Sequence, residues 1–138
     1  MKKRTRADLA NAWLRKAASD LATVEACLAA GRGLDAACFH CQQAAEKALK
    51  AFLIARDQDF PHTHDLQRLV ALCAKVEAGF RRLQTAARRL NPYAVDFRYE
   101  PDFWPDDRLV RSLFADARRM VDFSSHQIAA QPIQKPEP

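Results

Sequence analysis

Glycine is almost missing from this 138-residue sequence, with only three copies, while alanine, leucine and arginine are abundant. That balance favours an all-helical chain, because glycine is costly inside helices and the abundant residues are good helix formers. No uninterrupted apolar run approaches the ~20 residues a helix needs to cross a bilayer, so no membrane association is expected. The basic start, Met1–Arg6, is not followed by an apolar core, which argues against a secretory signal and makes the cytoplasm the expected location. The four cysteines, Cys27, Cys38, Cys41 and Cys73, all fall inside apolar helical patterns, as buried thiols of a reducing compartment do. Cys38 and Cys41 flank His40, yet a zinc knuckle needs a second ligand pair at similar spacing, and none is present. No metal and no cofactor are therefore expected. Internal repeats and domain linkers are also lacking, so the chain reads as one domain over residues 1–128, with a disordered tail over 129–138.

What is present suits a folded core. Hydrophobic residues make up 49% and charged residues 28%, ordinary values for a globular domain. The formal charge of +5 and a pI near 9.3 permit contact with nucleic acid, nucleotides or an acidic partner without requiring any of them.

Hydrophobic periodicity predicts a bundle of four to five antiparallel, up-and-down helices. Ala10, Leu14, Ala17, Leu21, Val24 and Leu28 alternate at steps of three and four, giving a first helix over about 6–29 that ends at Gly31 and Gly33. The central helix follows over 35–57, with Asp35 as its expected N-cap. Its face of Ala37, Cys41, Ala44, Ala48, Ala51 and Ala55 is made of small residues, which lets neighbouring backbones approach closely. Its other arc carries His40, Gln42, Gln43, Glu46, Lys47 and Lys50 but is interrupted by Phe39, Leu53 and Ile54, so it does not read as a plain solvent face. Thr63 is the expected cap of a third helix whose stripe is Leu66, Leu69, Val70, Cys73 and Val76. Phe80, Leu83, Ala87 and Leu90 pattern a fourth helix. Asn91 to Pro105 resists a helical reading, and its aromatics, Tyr93, Phe97, Tyr99, Phe103 and Trp104, are expected to pin it to the body. A last helix from about Asp106 to Ile128 buries Val110, Leu113, Phe114, Ala117, Met120 and Val121.

Three groups of residues carry candidate chemistry. Gln43, Glu46, Lys47 and Lys50 share one side of the central helix, where lysines can meet phosphate and Gln43 a base or ribose, or where Glu46 and Lys50 simply form an i,i+4 pair. His64, beside His62 at the start of the third helix, can serve as a base or nucleotide ligand, or can lock the corner by hydrogen bonding. Arg98 can clamp phosphate while Tyr99 stacks on a base, or Arg98 can pair with Asp96 or Glu100. The arginines Arg81, Arg82, Arg88, Arg89, Arg111, Arg118 and Arg119 form either an RNA footprint or ordinary solvated helix faces.

Phe39–Leu53 (FHCQQAAEKALKAFL), Thr63–Leu66 (THDL), Arg89–Tyr99 (RLNPYAVDFRY) and the closing amphipathic helix together resemble the HEPN domain family, in its order and spacing. The resemblance implies a helical bundle that usually forms a homodimer. Many bacterial members are encoded beside a minimal nucleotidyltransferase, in pairs described as toxin–antitoxin modules, and a composite dimer face would bind nucleotide or RNA. Other members are metal-independent ribonucleases with an Arg-x(4–6)-His motif. Here Arg98-Tyr99 is followed by Glu100 before Pro101, where related members have Arg-Tyr-Pro, and Arg98 has no histidine at the motif's distance. The formal match is Arg119 to His126, with Met120 where a polar residue usually follows. The expected function is thus a non-catalytic nucleotide- or RNA-binding domain acting with a nucleotidyltransferase, the alternatives being a ribonuclease using Arg119 and His126, or a purely structural dimeric adaptor.

Overall fold

The computed structural model describes residues 4–130, which form five α-helices and no strand among the described residues. Of the tail expected over 129–138, Ala129 is the last residue of the closing helix and 131–138 lie outside the described residues. Helix α1 spans Arg6–Ala30, α2 Leu34–Ala55, α3 Leu66–Val76, α4 Gln84–Leu90 and α5 Asp107–Ala129. The all-α bundle foreseen from the periodicity is what forms. None of these helices is long and apolar enough to cross a membrane.

Local chemistry accounts for most boundaries. Thr5 and Asp8 close a capping box over the start of α1, at 3.0 and 3.1 Å, satisfying two backbone N–H groups that the helix cannot. Gly31 ends α1 in the left-handed region, at φ 64°. Gly33, also left-handed at φ 68°, then caps α2, so Asp35 is not the N-cap but sits in the first turn, where the helix dipole favours its charge. The cap of α3 is likewise shifted. Asp65, not Thr63, accepts from the backbone N–H groups of Gln67 and Arg68, while Thr63 Oγ1 accepts from the N–H of Asp65. Asp106 caps α5 by accepting from the N–H of Leu109 at 2.9 Å.

The expected fourth helix is split. Ala78–Leu83 is a 3-10 helix that runs directly into the seven-residue α4. Gly79 lies there because a Cβ would come 3.2 Å from the Phe123 ring. Asn91–Tyr93 also winds into a short 3-10 turn at the start of the stretch expected to be non-helical, and Asn91 ties that turn to the N-terminus of α3.

Helix α2 runs through the middle, as its small-residue face foretold. Helices α1 and α2 form an antiparallel hairpin, with Arg6 reaching Asp57 at the far end of α2. Ala17, Ala44, Ala48 and Val121 make a close seam between α1, α2 and α5. Bulk comes from elsewhere: Phe52, Phe80 and Phe123 pack in series, tilted at 4.4 Å and edge-to-face at 4.9 Å, in one cluster with Leu49, Leu69, Leu83 and Met120. Arg56, just past the end of α2, donates to the Gln127 carbonyl, so the C-terminal ends of α2 and α5 meet. Two residues assigned to buried stripes are less covered: Val76 is exposed because α3 ends there, and Phe114 is half-buried.

Candidate functional site

Polar groups on the central helix gather into two networks. In the first, Glu46 is the hub. Its Oε1 accepts from Gln42 Nε2 at 3.2 Å and from His64 Nδ1 at 2.8 Å, and its Oε2 accepts from Lys50 Nζ at 3.1 Å. Gln42 Nε2 also donates to the His64 carbonyl, and Gln43 Nε2 donates to Gln42 Oε1 at 2.7 Å. The Glu46 and Lys50 side chains are only 6% and 9% exposed. A carboxylate removed from water in this way must be hydrogen-bonded on both oxygens, and this one is. His64 is held by the network on one ring nitrogen while the rest of the ring faces solvent. Gln43, Glu46, Lys50 and His64 are therefore brought together, and their joint effect is to tie the α2–α3 connection to the central helix.

The second network was not foreseen. Asp20 of α1 is buried, accepting from Lys47 Nζ at 2.7 Å and from His40 Nδ1 at 2.8 Å. Because a carboxylate only accepts, Nδ1 carries the His40 proton, which leaves Nε2 without a hydrogen-bond partner among the described residues. The hint available in the sequence was an acid at position 20, between Ala17 and Val24 on the buried stripe of α1, opposite the polar arc of the next helix.

Beside His40 lies a hollow of about 440 Å³, lined by Asp35, Ala36, Phe39, His40, Phe97 and Arg98. The Arg98 guanidinium lies 4.1 Å from the Phe39 ring centre and 5.3 Å from that of Tyr99. Neither Asp96 nor Glu100 neutralises it; among the described residues it has no acidic partner. Such stacking leaves the guanidinium edge and its N–H donors open to an anion. Lys47 and Lys50, by contrast, already have carboxylates.

The other candidates are dispersed. Arg119 makes a long 3.5 Å contact with the Arg82 carbonyl, and no hydrogen bond joins it to exposed His126. Of the clustered arginines, Arg89 forms a bidentate pair with buried Asp116 at 2.6 and 2.7 Å, and Arg111 pairs with Asp107. Asp116 raises the Arg89 pKa by hydrogen bonding and charge. Arg82 and Arg118 lie over Phe123 and Phe114, leaving Arg81 and Arg88 exposed without an acidic partner among the described residues. Cys38 and Cys41 are buried, and burial pushes the Cys38 thiol up to about 12 and Cys41 higher still. Among the described residues no group of three or more His, Cys, Asp or Glu is placed to hold a metal.

The sequence profile of the HEPN domain matches residues 10–127, from the first turns of α1 to the end of α5. The chain belongs to the HEPN domain family. Its fold is shared with solved structures. TT1696 from Thermus thermophilus is 30% identical and superimposes with a TM-score of 0.74, over 86% of this chain and 97% of that one. ST0689, an archaeal HEPN homologue, is 21% identical with a TM-score of 0.70, over 93% of this chain and 99% of that one, a likeness of fold. No curated protein matches the chain in sequence. The helix carrying both networks, the Arg98 loop and all but the last two residues of α5 lie inside the matched span.

Proposed function

We propose that this HEPN domain binds a nucleotide or an RNA segment at the Arg98 hollow and is non-catalytic by itself. The observation that carries the reading is the Arg98 guanidinium, stacked on Phe39, in no salt bridge among the described residues and set at a hollow beside His40. Arg98 would take phosphate, His40 Nε2 would supply a second contact, and Tyr99 would offer a ring to a base. Gln43 lies one helical turn beyond Phe39 on α2, within the same stripe. Lys47, Lys50, Glu46 and His64 act in this reading as the frame, since their charges are already paired. We further propose that the domain is a cytoplasmic homodimer working with a nucleotidyltransferase partner in a toxin–antitoxin-like module, a reading supported by the family membership.

Calorimetric titration with nucleoside triphosphates and with short single-stranded RNA tests the site. Wild-type protein is expected to bind, and Arg98→Ala to weaken binding at least about tenfold, as expected when a charge-assisted contact is lost. Absence of heat with wild type, or unchanged affinity in Arg98→Ala, refutes it.

A further inference from the structure

The hollow beside Arg98 restricts its ligand further, because the polar groups that line it are not of one kind. Arg98 offers a positive charge and hydrogen-bond donors only. His40 offers the reverse. Its Nδ1–H is taken up by buried Asp20 at 2.8 Å, so the neutral ring keeps Nε2, on its opposite side, as a lone-pair acceptor. Asp20 is held in turn by Lys47 Nζ at 2.7 Å, which fixes the partner that fixes the ring.

Asp35 supplies a second acceptor. It lines the same hollow from the first turn of α2, exposed and in no salt bridge among the described residues. An ionised carboxylate accepts and does not donate. Asp35 stands one turn before Phe39, and Ala36 one turn before His40, so both acceptors rise from neighbouring rows of one helix. A rigid helix holds such groups more firmly than a loop does.

A matching ligand therefore carries an anionic group for Arg98 and hydrogen-bond donors for His40 and Asp35. Phosphate alone fails, since its oxygens only accept and its charge is repelled by Asp35. Ribose hydroxyls meet the requirement. They donate, they stand beside the phosphate in every ribonucleotide, and carboxylates read them in dinucleotide-binding folds. The remaining walls, Phe39 and Phe97, suit sugar carbons and the face of a base, and a hollow of about 440 Å³ is in the range of small-molecule sites.

We infer that the hollow selects ribonucleotides by their sugar, Asp35 and His40 Nε2 accepting from the 2′- and 3′-hydroxyls while Arg98 takes the phosphate. The inference rests on the binding reading above and adds its specificity. Asp35 becomes a ligand contact, and the buried Asp20–Lys47 pair becomes the device that keeps the far nitrogen of His40 an acceptor.

The test is calorimetric titration at pH 8, above the ordinary histidine range. The probes are the four ribonucleoside triphosphates, their 2′-deoxy and 2′,3′-dideoxy counterparts, and ribose 5-phosphate. Wild type is expected to bind the ribonucleotides at least about tenfold more tightly than the dideoxynucleotides, with the 2′-deoxy forms between. Asp35→Ala and His40→Asn are each expected to shrink that ratio at least about threefold while leaving dideoxynucleotide affinity near wild type. Arg98→Ala should weaken both classes and preserve the ratio. In His40→Asn the amide can still donate to Asp20 but has nothing in place of Nε2, and Asp35 is exposed, so helical circular dichroism should stay near wild type in both variants. Equal binding of ribo- and dideoxynucleotides, or a ratio unmoved by both variants, overturns the sugar reading and leaves nucleotide binding standing. Ribose 5-phosphate binding as tightly as the nucleotides overturns the nucleotide as ligand and leaves a sugar phosphate. No binding by wild type overturns the binding reading, and this inference with it.

Discussion

Truncating Glu46 removes the hub of the buried network. In Glu46→Ala, Lys50 loses its carboxylate at 3.1 Å while its side chain stays only 9% exposed, and His64 and Gln42 each lose an acceptor. Breaking a buried ion pair by deleting one partner costs about 3–5 kcal/mol, mostly through the charge left behind. A neutral hydrogen bond lost beside it adds about 1 kcal/mol, offset in part because the exposed His64 ring can turn to water. A total near 3–5 kcal/mol is a large share of the roughly 5–15 kcal/mol that holds such a domain together. For a chain of this length it lowers the melting temperature by about 10–20 °C. Urea unfolding followed by circular dichroism reads the loss directly. The partner control is Glu46→Leu with Lys50→Met, which removes both charges and fills the space with apolar groups. It should retain much more stability than Glu46→Ala alone, because no orphaned charge remains. A Glu46→Ala loss under about 1 kcal/mol, or a double variant no better than the single one, refutes a structural hub.

Two further outcomes follow from caps and thiols. Asp65 caps α3, and the Asn91 amide together with the backbone N–H groups of Arg68 and Gln67 holds its carboxyl below the ordinary carboxylate range. A depressed folded value means stability that is complete above the unfolded value near 3.9 and is lost as pH falls through the folded one. Asp65→Ala should therefore cost about 1 kcal/mol at neutral pH, and the gap from wild type should narrow below about pH 4, as acid titrations of melting temperature would show. Burial raises the thiols of Cys38, Cys41 and Cys73 well above the free value and shields them from reagents, whereas Cys27 is only half-buried and accessible. A thiol-reactive chromophore at pH 8 should label about one cysteine in the native chain and all four after unfolding. Rapid native labelling of Cys38 or Cys41 would contradict the packing of α2.

Reading along the chain succeeded where one helix sufficed to carry the signal. The steps of three and four through Ala10, Ala17 and Val24 placed α1 to within a residue of its observed end, and the alanine face of α2 foretold close packing. The two caps each erred by two positions because neighbours competed for the same role. Asp35 and Thr63 are both capable capping residues, but Gly33 and Asp65 were better placed for the backbone turn. Only the first part of the fourth helix was misread in kind, Ala78–Leu83 being 3-10 and Gln84–Leu90 α-helical, since the two helix types share nearly the same apolar spacing over six residues.

Sequence alone therefore determined the helical class, the central place of α2 and the list of polar residues that packing does not explain. Only the tertiary structure decided which charges remain available. Lys47 finds Asp20 across 27 residues, His64 finds Glu46 across 18, and Arg89 finds Asp116 across 27. Arg98 forms no salt bridge among the described residues, although acids flank it in the chain. Periodicity reports which face of a helix a side chain occupies, but ion pairing depends on what the opposing helix brings to that face. That information is set by how the bulky core around Phe52 and Phe80 packs the helices together.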